Sequence, residues 1–177
     1  MAIGETRVLG LLESEDVFAT ASALRAMGIS ILQNAPEEWH VIGRGVGGLL
    51  EPNNVLNLGN SGTGVRLLMG AVGGHPFVAT FTGDASLISR PMDRIIAPLS
   101  EMGIHFTTRT DGKLPITVSG PATLLPIEYK LPISSAQVKS AILLAGVQAP
   151  GTTTVIEPEP SRDHTELMLR KFGATVT

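Results

Sequence analysis

The chain has 177 residues, a formal charge of −3 and no cysteine. Disulfides and thiolate chemistry are excluded, and one Trp and one Tyr in a mildly acidic chain do not make a nucleic-acid surface, which needs basic clusters and stacking aromatics. No apolar run is long enough to span a bilayer, so no membrane partner is expected, and a chain of this length and hydrophobic content can build a real core. The opening Met1-Ala2-Ile3-Gly4-Glu5 does not read as a signal peptide, and with the absence of Cys this points to the cytoplasm.

Periodicity predicts a short strand over Thr6–Leu9, then an amphipathic helix over Glu13–Met27 with Val17, Ala21, Leu24 and Met27 on one face. Ser14 suits its N-cap and Gly28 its stop. Strands are predicted at Ile29–Leu32 and His40–Ile42 around Asn34-Ala35-Pro36, followed by a loop over Gly45–Gly48. Val55–Leu58 reads as a strand leading into LGNSGTGVRLLMGA, a mostly apolar helix with small and polar residues at its start. Phe77–Thr82 is the next strand, and Met92–Met102 an amphipathic helix entered through Arg90-Pro91, where proline's missing N–H does no harm. Ile104–Thr108 and Pro115–Val118 read as strands across Asp111-Gly112. Ile127–Lys130 leads into LPISSAQVKSAILL, a second mostly apolar helix with Ser134, Ser135, Gln137 and Lys139 near its start. Thr153–Glu157 is a strand, Ser161–Phe172 an amphipathic helix, and Ala174–Thr177 begins a strand with no visible partner.

These elements repeat. Three amphipathic helices end alike, at Ala26-Met27-Gly28-Ile29, Glu101-Met102-Gly103-Ile104 and Lys171-Phe172-Gly173-Ala174, at spacings of roughly seventy residues. Each follows a strand and a loop holding charged residues. The unit is strand, buried helix, strand, amphipathic helix, strand, strand: an α/β fold of repeated βαβαββ units. The register divides the chain into a partial unit over 1–54, a complete one over 55–125 and a partial one over 126–177. The first unit lacks its opening strand and buried helix, so the chain reads as part of a longer design. The missing helix is expected to leave an exposed apolar groove, and hence self-association or a partner.

A helix start carries unpaired N–H groups and partial positive charge, which suit a phosphate or carboxylate. A lone Ser-Ser before a helix is equally a simple N-cap. The two starts, Asn60-Ser61-Gly62-Thr63 and Ser134-Ser135-Ala136-Gln137, converge if the repeats pack about a common axis. Gly62 and Gly64 allow close approach to backbone. Arg90 and Arg162 occupy corresponding loops, each offering a planar fork to an anion. The alternative is pairing with local acids: Arg90 with Asp84 or Asp93, Arg162 with Asp163 or Glu166. Arg66 and Lys139, one turn into their helices, reach back to a ligand or pair with an acid. His40, His75, His105 and His164 lack metal-ligand spacing, and no nucleophile elbow, Walker A or dinucleotide fingerprint is present.

The stretches LNLGNSGTGVRLLMG, GDASLISRPMDRIIAPLSEMG, LPISSAQVKSAILLAG and IEPEPSRDHTELMLRKFGA resemble the 3-phosphoshikimate 1-carboxyvinyltransferase (5-enolpyruvylshikimate-3-phosphate synthase) family, with the bacterial class that includes glyphosate-tolerant members. The resemblance covers nearly the whole chain. It implies an enolpyruvate transferase-like domain with buried helices inside and sheets outside. It also implies transfer of the enolpyruvyl group of phosphoenolpyruvate to shikimate 3-phosphate, with no metal or organic cofactor. By motif, Ser135, Ala136, Gln137 and Arg162 are implied shikimate 3-phosphate contacts. Gly62, Arg90 and Gln137 are implied phosphoenolpyruvate contacts, with Asn60 and Thr63 lining the same loop. Gly62 leaves room for glyphosate, which implies a sensitive parent enzyme.

The family's Lys-Ser-x-Ser-x-Arg-type motif is absent before Met1, and its second domain, with the acidic base, is absent after Thr177. The resemblance therefore implies no catalytic residue in this chain, and a partner in the C-terminal domain. A relative acting on UDP-N-acetylglucosamine is the weaker match, because that family commonly uses a Cys in its catalytic loop. A non-catalytic binding or assembly domain is the remaining alternative.

Overall fold

The computed structural model describes residues 1–177. The chain opens with β1 (Ile3–Leu9), α1 (Glu15–Ala26), β2 (Ser30–Ala35) and β3 (Glu38–Arg44). These strands form an antiparallel sheet in the order β1-β3-β2. Alternation sets its faces: Val8 and Trp39 are opposite one another and point inward, while Arg7 and His40 are opposite on the outer face. Ser14 occupies the N-cap of α1, but its side chain makes no capping bond. Glu13 organises this entry instead. Its Oε1 accepts from Gln33 Nε2 (2.6 Å), the Glu37 backbone N–H (2.7 Å) and Trp39 Nε1 (2.9 Å). Those three bonds, the Trp39 bond first, hold its carboxyl below the usual range.

The middle of the chain runs β4 (Leu56–Asn57), α2 (Gly62–Val72), β5 (Val78–Thr82), α3 (Ala85–Ile88), α4 (Asp93–Glu101), β6 (His105–Thr107) and β7 (Ile116–Ser119). The sheet order is β4-β5-β7-β6, with β4 parallel to β5 and the other pairs antiparallel. Helix α2 is the crossover between the parallel strands. Val65, Leu68, Met69 and Val72 recur at helical spacing, and Gly62, Gly64, Gly70 and Ala71 are buried as well. A helix buried on nearly all sides belongs in the interior. Helix α4 is one-sided, burying Ile95, Pro98 and Leu99.

The last part repeats the parallel crossover: β8 (Glu128–Lys130), α5 (Ala136–Gly146), then β9 (Thr154–Ile156) parallel to β8. The amphipathic α6 (His164–Lys171) follows. The two interior helices lie against each other. Gly70 permits this, since a Cβ there would stand 2.2 Å from the Ala141 carbonyl oxygen. One continuous core cluster runs from Met27 and Trp39 through Leu58, Met69 and Phe81 to Ile142 and Ala145. Each fully buried Leu or Ile in it contributes about 2 kcal/mol.

The repeated βαβαββ fold with interior helices and outer sheets is present, and three expectations change. The sequence reading had no helix at Ala85–Ile88, which forms because Asp84 caps it by accepting from the Leu87 N–H at 2.7 Å. The last helix starts at His164, not Ser161. The strand expected over Ala174–Thr177 does not form. Its counterpart β6 is held by β7 alone, and residues 174–177 have no such neighbour. Exposed apolar side chains include Ile3, Leu9 and Leu12 near the start of the chain and Leu167, Met168 and Phe172 on α6 and at its end, while Leu67, Leu143 and Leu144 on the interior helices are half-buried.

His75 ties the first part of the chain to the second. The residue is 2% exposed, and its Nε2 accepts from the Leu49 backbone N–H at 3.2 Å. Burial lowers its pKa below the ordinary 6.5. His40, on the outer sheet face, is raised by its bonds to Glu5 and Glu38. The two act oppositely on stability. His75 contributes stability above the ordinary value that is lost as pH falls through 6.5 toward its folded pKa. His40 contributes stability below the ordinary value that is lost as pH rises through its raised pKa. Ring-proton NMR is expected to show His75 titrating below 6.5 and His40 above it. In urea midpoints, His75→Gln is expected to flatten the fall in stability on the acid side. An unchanged acid limb refutes the assignment.

Candidate functional site

The starts of α2 and α5 lie at the same end of the interior helix pair. Gln137 Nε2 donates to Thr63 Oγ1 at 2.7 Å, joining them directly. Each start is capped by a serine. Ser61 Oγ accepts from the Gly64 N–H at 3.2 Å, and Ser135 Oγ accepts from the Val138 N–H at 3.4 Å. The two serines before α5 divide their work. Ser134 Oγ donates to the Glu159 carbonyl at 2.6 Å and accepts from the Glu159 N–H at 3.1 Å, so it anchors the loop before α6.

Two openings flank Gln137. One, of about 200 Å³, is lined by Thr63, Ala136, Gln137, Arg162 and His164. The other, of about 440 Å³, is lined by Arg66, Asp93, Arg94, Ser135 and Gln137. Arg162 is exposed and makes no hydrogen bond or ion pair, with Asp163 or Glu166 or with any other residue. Ser140 Oγ and Thr165 Oγ1, 2.6 Å apart, fasten α6 to α5 beside it.

Gly62 and Arg90 form a second group with Arg66. A Cβ on Gly62 would stand 2.7 Å from Arg90 Nη1 and 2.9 Å from Arg66 Nη1. Arg66 donates to the Gly62 carbonyl at 2.9 Å and to the Pro91 carbonyl at 3.4 Å. Burial first, and then the neighbouring Arg90 charge, lower the Arg66 pKa from its ordinary value. Two guanidiniums held together with no carboxylate paired to either favour an anion between or beside them. Arg90 pairs with neither Asp84 nor Asp93. Its Nη2 donates to Asn60 Oδ1 and to Ser86 Oγ, the latter at 3.2 Å. Asn60 Nδ2 donates in turn to Asp84 Oδ2 at 3.0 Å. Sequence reasoning did not find the Ser86 contact or Arg94. The short capped helix α3 that presents Ser86 was the available signal.

Lys139 faces away from this site. Its Nζ lies 2.7 Å from Glu157 Oε2 and 2.6 Å from Glu166 Oε1, with its side chain 8% exposed. Burial disfavours its charge, but the two carboxylates more than offset this and raise its pKa. It is a buried structural cation joining α5, the end of β9 and α6. Removing it strands two carboxylates in the interior. Lys139→Met is therefore expected to cost about 3 kcal/mol in urea unfolding. A change below about 0.5 kcal/mol refutes the pairing.

Gly62→Ala gives a contrasting expectation. The added methyl meets the guanidinium ends of two long side chains, not backbone. Stability is expected to hold within about 0.5 kcal/mol, while the Nε–H NMR signals of Arg66 and Arg90 both move. Unmoved signals refute the packing.

Interior helices paired at their starts, sheets outside and unpaired guanidiniums at that end define an enolpyruvate transferase-like domain. A family model described as EPSP synthase (3-phosphoshikimate 1-carboxyvinyltransferase) matches residues 1–177. The 3-phosphoshikimate 1-carboxyvinyltransferase of Novosphingobium aromaticivorans is 62% identical over 177 residues, which are 100% of this chain and 40% of that protein. That of Parvibaculum lavamentivorans is 60% identical over 176 residues, 99% of this chain and 39% of that protein. A solved EPSP synthase from Acinetobacter baumannii superposes with a TM-score of 0.96 at 50% identity, over 100% of this chain and 40% of that one. The chain belongs to the EPSP synthase family and spans about 40% of the length of these relatives.

Proposed function

We propose that this chain carries a substrate-binding half-site of a 3-phosphoshikimate 1-carboxyvinyltransferase, working in the cytoplasm on the shikimate route to aromatic compounds. The observation that carries the reading is the junction at Gln137. One side chain bridges two helix starts, with unpaired Arg162 on one side and the Arg66–Arg90 pair beyond Thr63 and Gly62 on the other.

Both proposed substrates carry two anionic groups. Phosphoenolpyruvate and shikimate 3-phosphate each carry a phosphate and a carboxylate. Ser135, Ala136 and Gln137 at the α5 start, with Arg162, receive shikimate 3-phosphate. Gly62 and Arg90 receive phosphoenolpyruvate, and Gln137 touches both. Transfer puts a proton on the methylene carbon of phosphoenolpyruvate and joins the acceptor oxygen to the adjacent carbon as its hydroxyl gives up a proton. It then expels phosphate as a proton leaves the new methyl group, which restores the double bond. Guanidiniums and helix starts aimed at the phosphates hold the charge through those steps. This reading needs no metal or organic cofactor. It gives the residues here the work of binding and orientation and assigns no catalytic acid or base to them, so the isolated chain is expected to bind without turning over. The acid and base, and a cover for Ile3, Leu9 and Leu12, are assigned to the rest of a relative-length protein. A second copy of this chain is the alternative cover.

Amide NMR titration of the intact chain tests the reading. Shikimate 3-phosphate is expected to shift Ser135, Ala136, Gln137 and Arg162, and phosphoenolpyruvate to shift Gly62 and Arg90. Arg162→Ala is expected to abolish the first set and leave the second. A well-dispersed spectrum unmoved at millimolar ligand overturns the proposal.

A further inference from the structure

Arg90 has two carboxylates close along the chain, and the fold keeps both from touching it. Between Arg90 and Asp84 stands the Asn60 amide. An aspartate carboxylate only accepts hydrogen bonds and a guanidinium only donates them. The amide between them therefore has one orientation that satisfies both, Nδ2 toward Asp84 and Oδ1 toward Arg90. Asp84 also uses both oxygens. Oδ1 caps α3 through the Leu87 N–H at 2.7 Å, and Oδ2 accepts from Asn60 at 3.0 Å. The same cap sets α3, which carries Ser86 to the other acceptor of Arg90 Nη2.

We propose that Asp84 is a positioning residue for the anion site. Through Asn60 and α3 it fixes the Arg90 guanidinium in place, while the neutral amide keeps its own carboxylate out of contact. Arg90 is thereby oriented without being neutralised, and its charge stays available to a phosphate or carboxylate. The step from positioning to phosphoenolpyruvate affinity rests on the half-site reading above; the orientation of Arg90 does not.

Asp84→Asn isolates the effect. Asn caps a helix as well as Asp, so α3 and the thermal midpoint are expected to survive. The second contact fails. The cap takes the one oxygen of the new amide, so its nitrogen is left facing Asn60 Nδ2, and turning the Asn60 amide over moves the donor–donor clash to Arg90. In the ligand-free intact chain, 15N NMR of the Arg90 guanidinium is expected to show resolved Nη protons in the parent. Averaged ones are expected in Asp84→Asn, since only a clamped guanidinium rotates slowly. Phosphoenolpyruvate is expected to bind Asp84→Asn roughly fivefold more weakly, the loss of about one hydrogen bond. The double variant D84N/N60D restores matched donors and acceptors, so the Nη signals are expected to resolve again. Its affinity is expected to stay low, because a carboxylate then touches Arg90.

Parent-like Nη signals in Asp84→Asn, or averaged ones already in the parent, overturn the proposal. Full recovery of phosphoenolpyruvate binding in the double variant overturns the claim that the amide preserves the charge. If the Nη signals respond as expected but the parent binds no phosphoenolpyruvate, the positioning stands and the half-site reading falls.

Discussion

The close approach of α2 and α5 is the constraint on which the rest depends. Glycine at position 70 lets one interior helix lie against the Ala141 carbonyl of the other. That contact fixes where both helix starts emerge, and so whether Gln137 can reach Thr63. The outer elements are fastened to this pair. Lys139 holds the ends of β9 and α6 through two glutamates, and Ser140 holds α6 through Thr165. The polar bonds of the site are few, and their geometry is inherited from apolar packing beneath them.

Much of the fold was legible because the chain repeats itself. The Met-Gly-Ile endings at 27–29 and 102–104 and the two apolar helices mark the units by local pattern alone. What was not legible depends on distant partners. Residues 174–177 have strand-forming composition, but a strand needs a neighbour, and composition does not supply one. Helix α3 is only four residues long, and its cap, Asp84, reads equally well in sequence as an ion-pair partner for Arg90. The charged residues divide on the same principle. Lys139 and Arg66 occupy matching places one turn into their helices, yet one is paired with two carboxylates and the other with two carbonyls. Only the burial of Glu157 and Glu166 beside Lys139 separates them.

The candidate site was legible as a list of residues but not as an arrangement. Ser134 and Ser135 look interchangeable in sequence. In the fold one is a loop anchor and the other a cap. Arg90 and Arg162 look equivalent by repeat position. Arg162 is free in solvent, while Arg90 is held by an amide and a hydroxyl beside a second guanidinium. The repeat thus supplies two similar frames, and unrelated side-chain contacts make their loops different.

The bond between Thr63 and Gln137 closes a stretch of 74 residues. Local structure can form on either side of it early, since turns and helices need only near neighbours. Closing so long a segment costs chain entropy that is recovered only when the interior helices dock. The junction is thus among the contacts a growing chain makes late. Until Gln137 has emerged and α5 has packed, the first helix start faces water alone. The juxtaposition of the two helix starts is then acquired together with the docking of the interior helices.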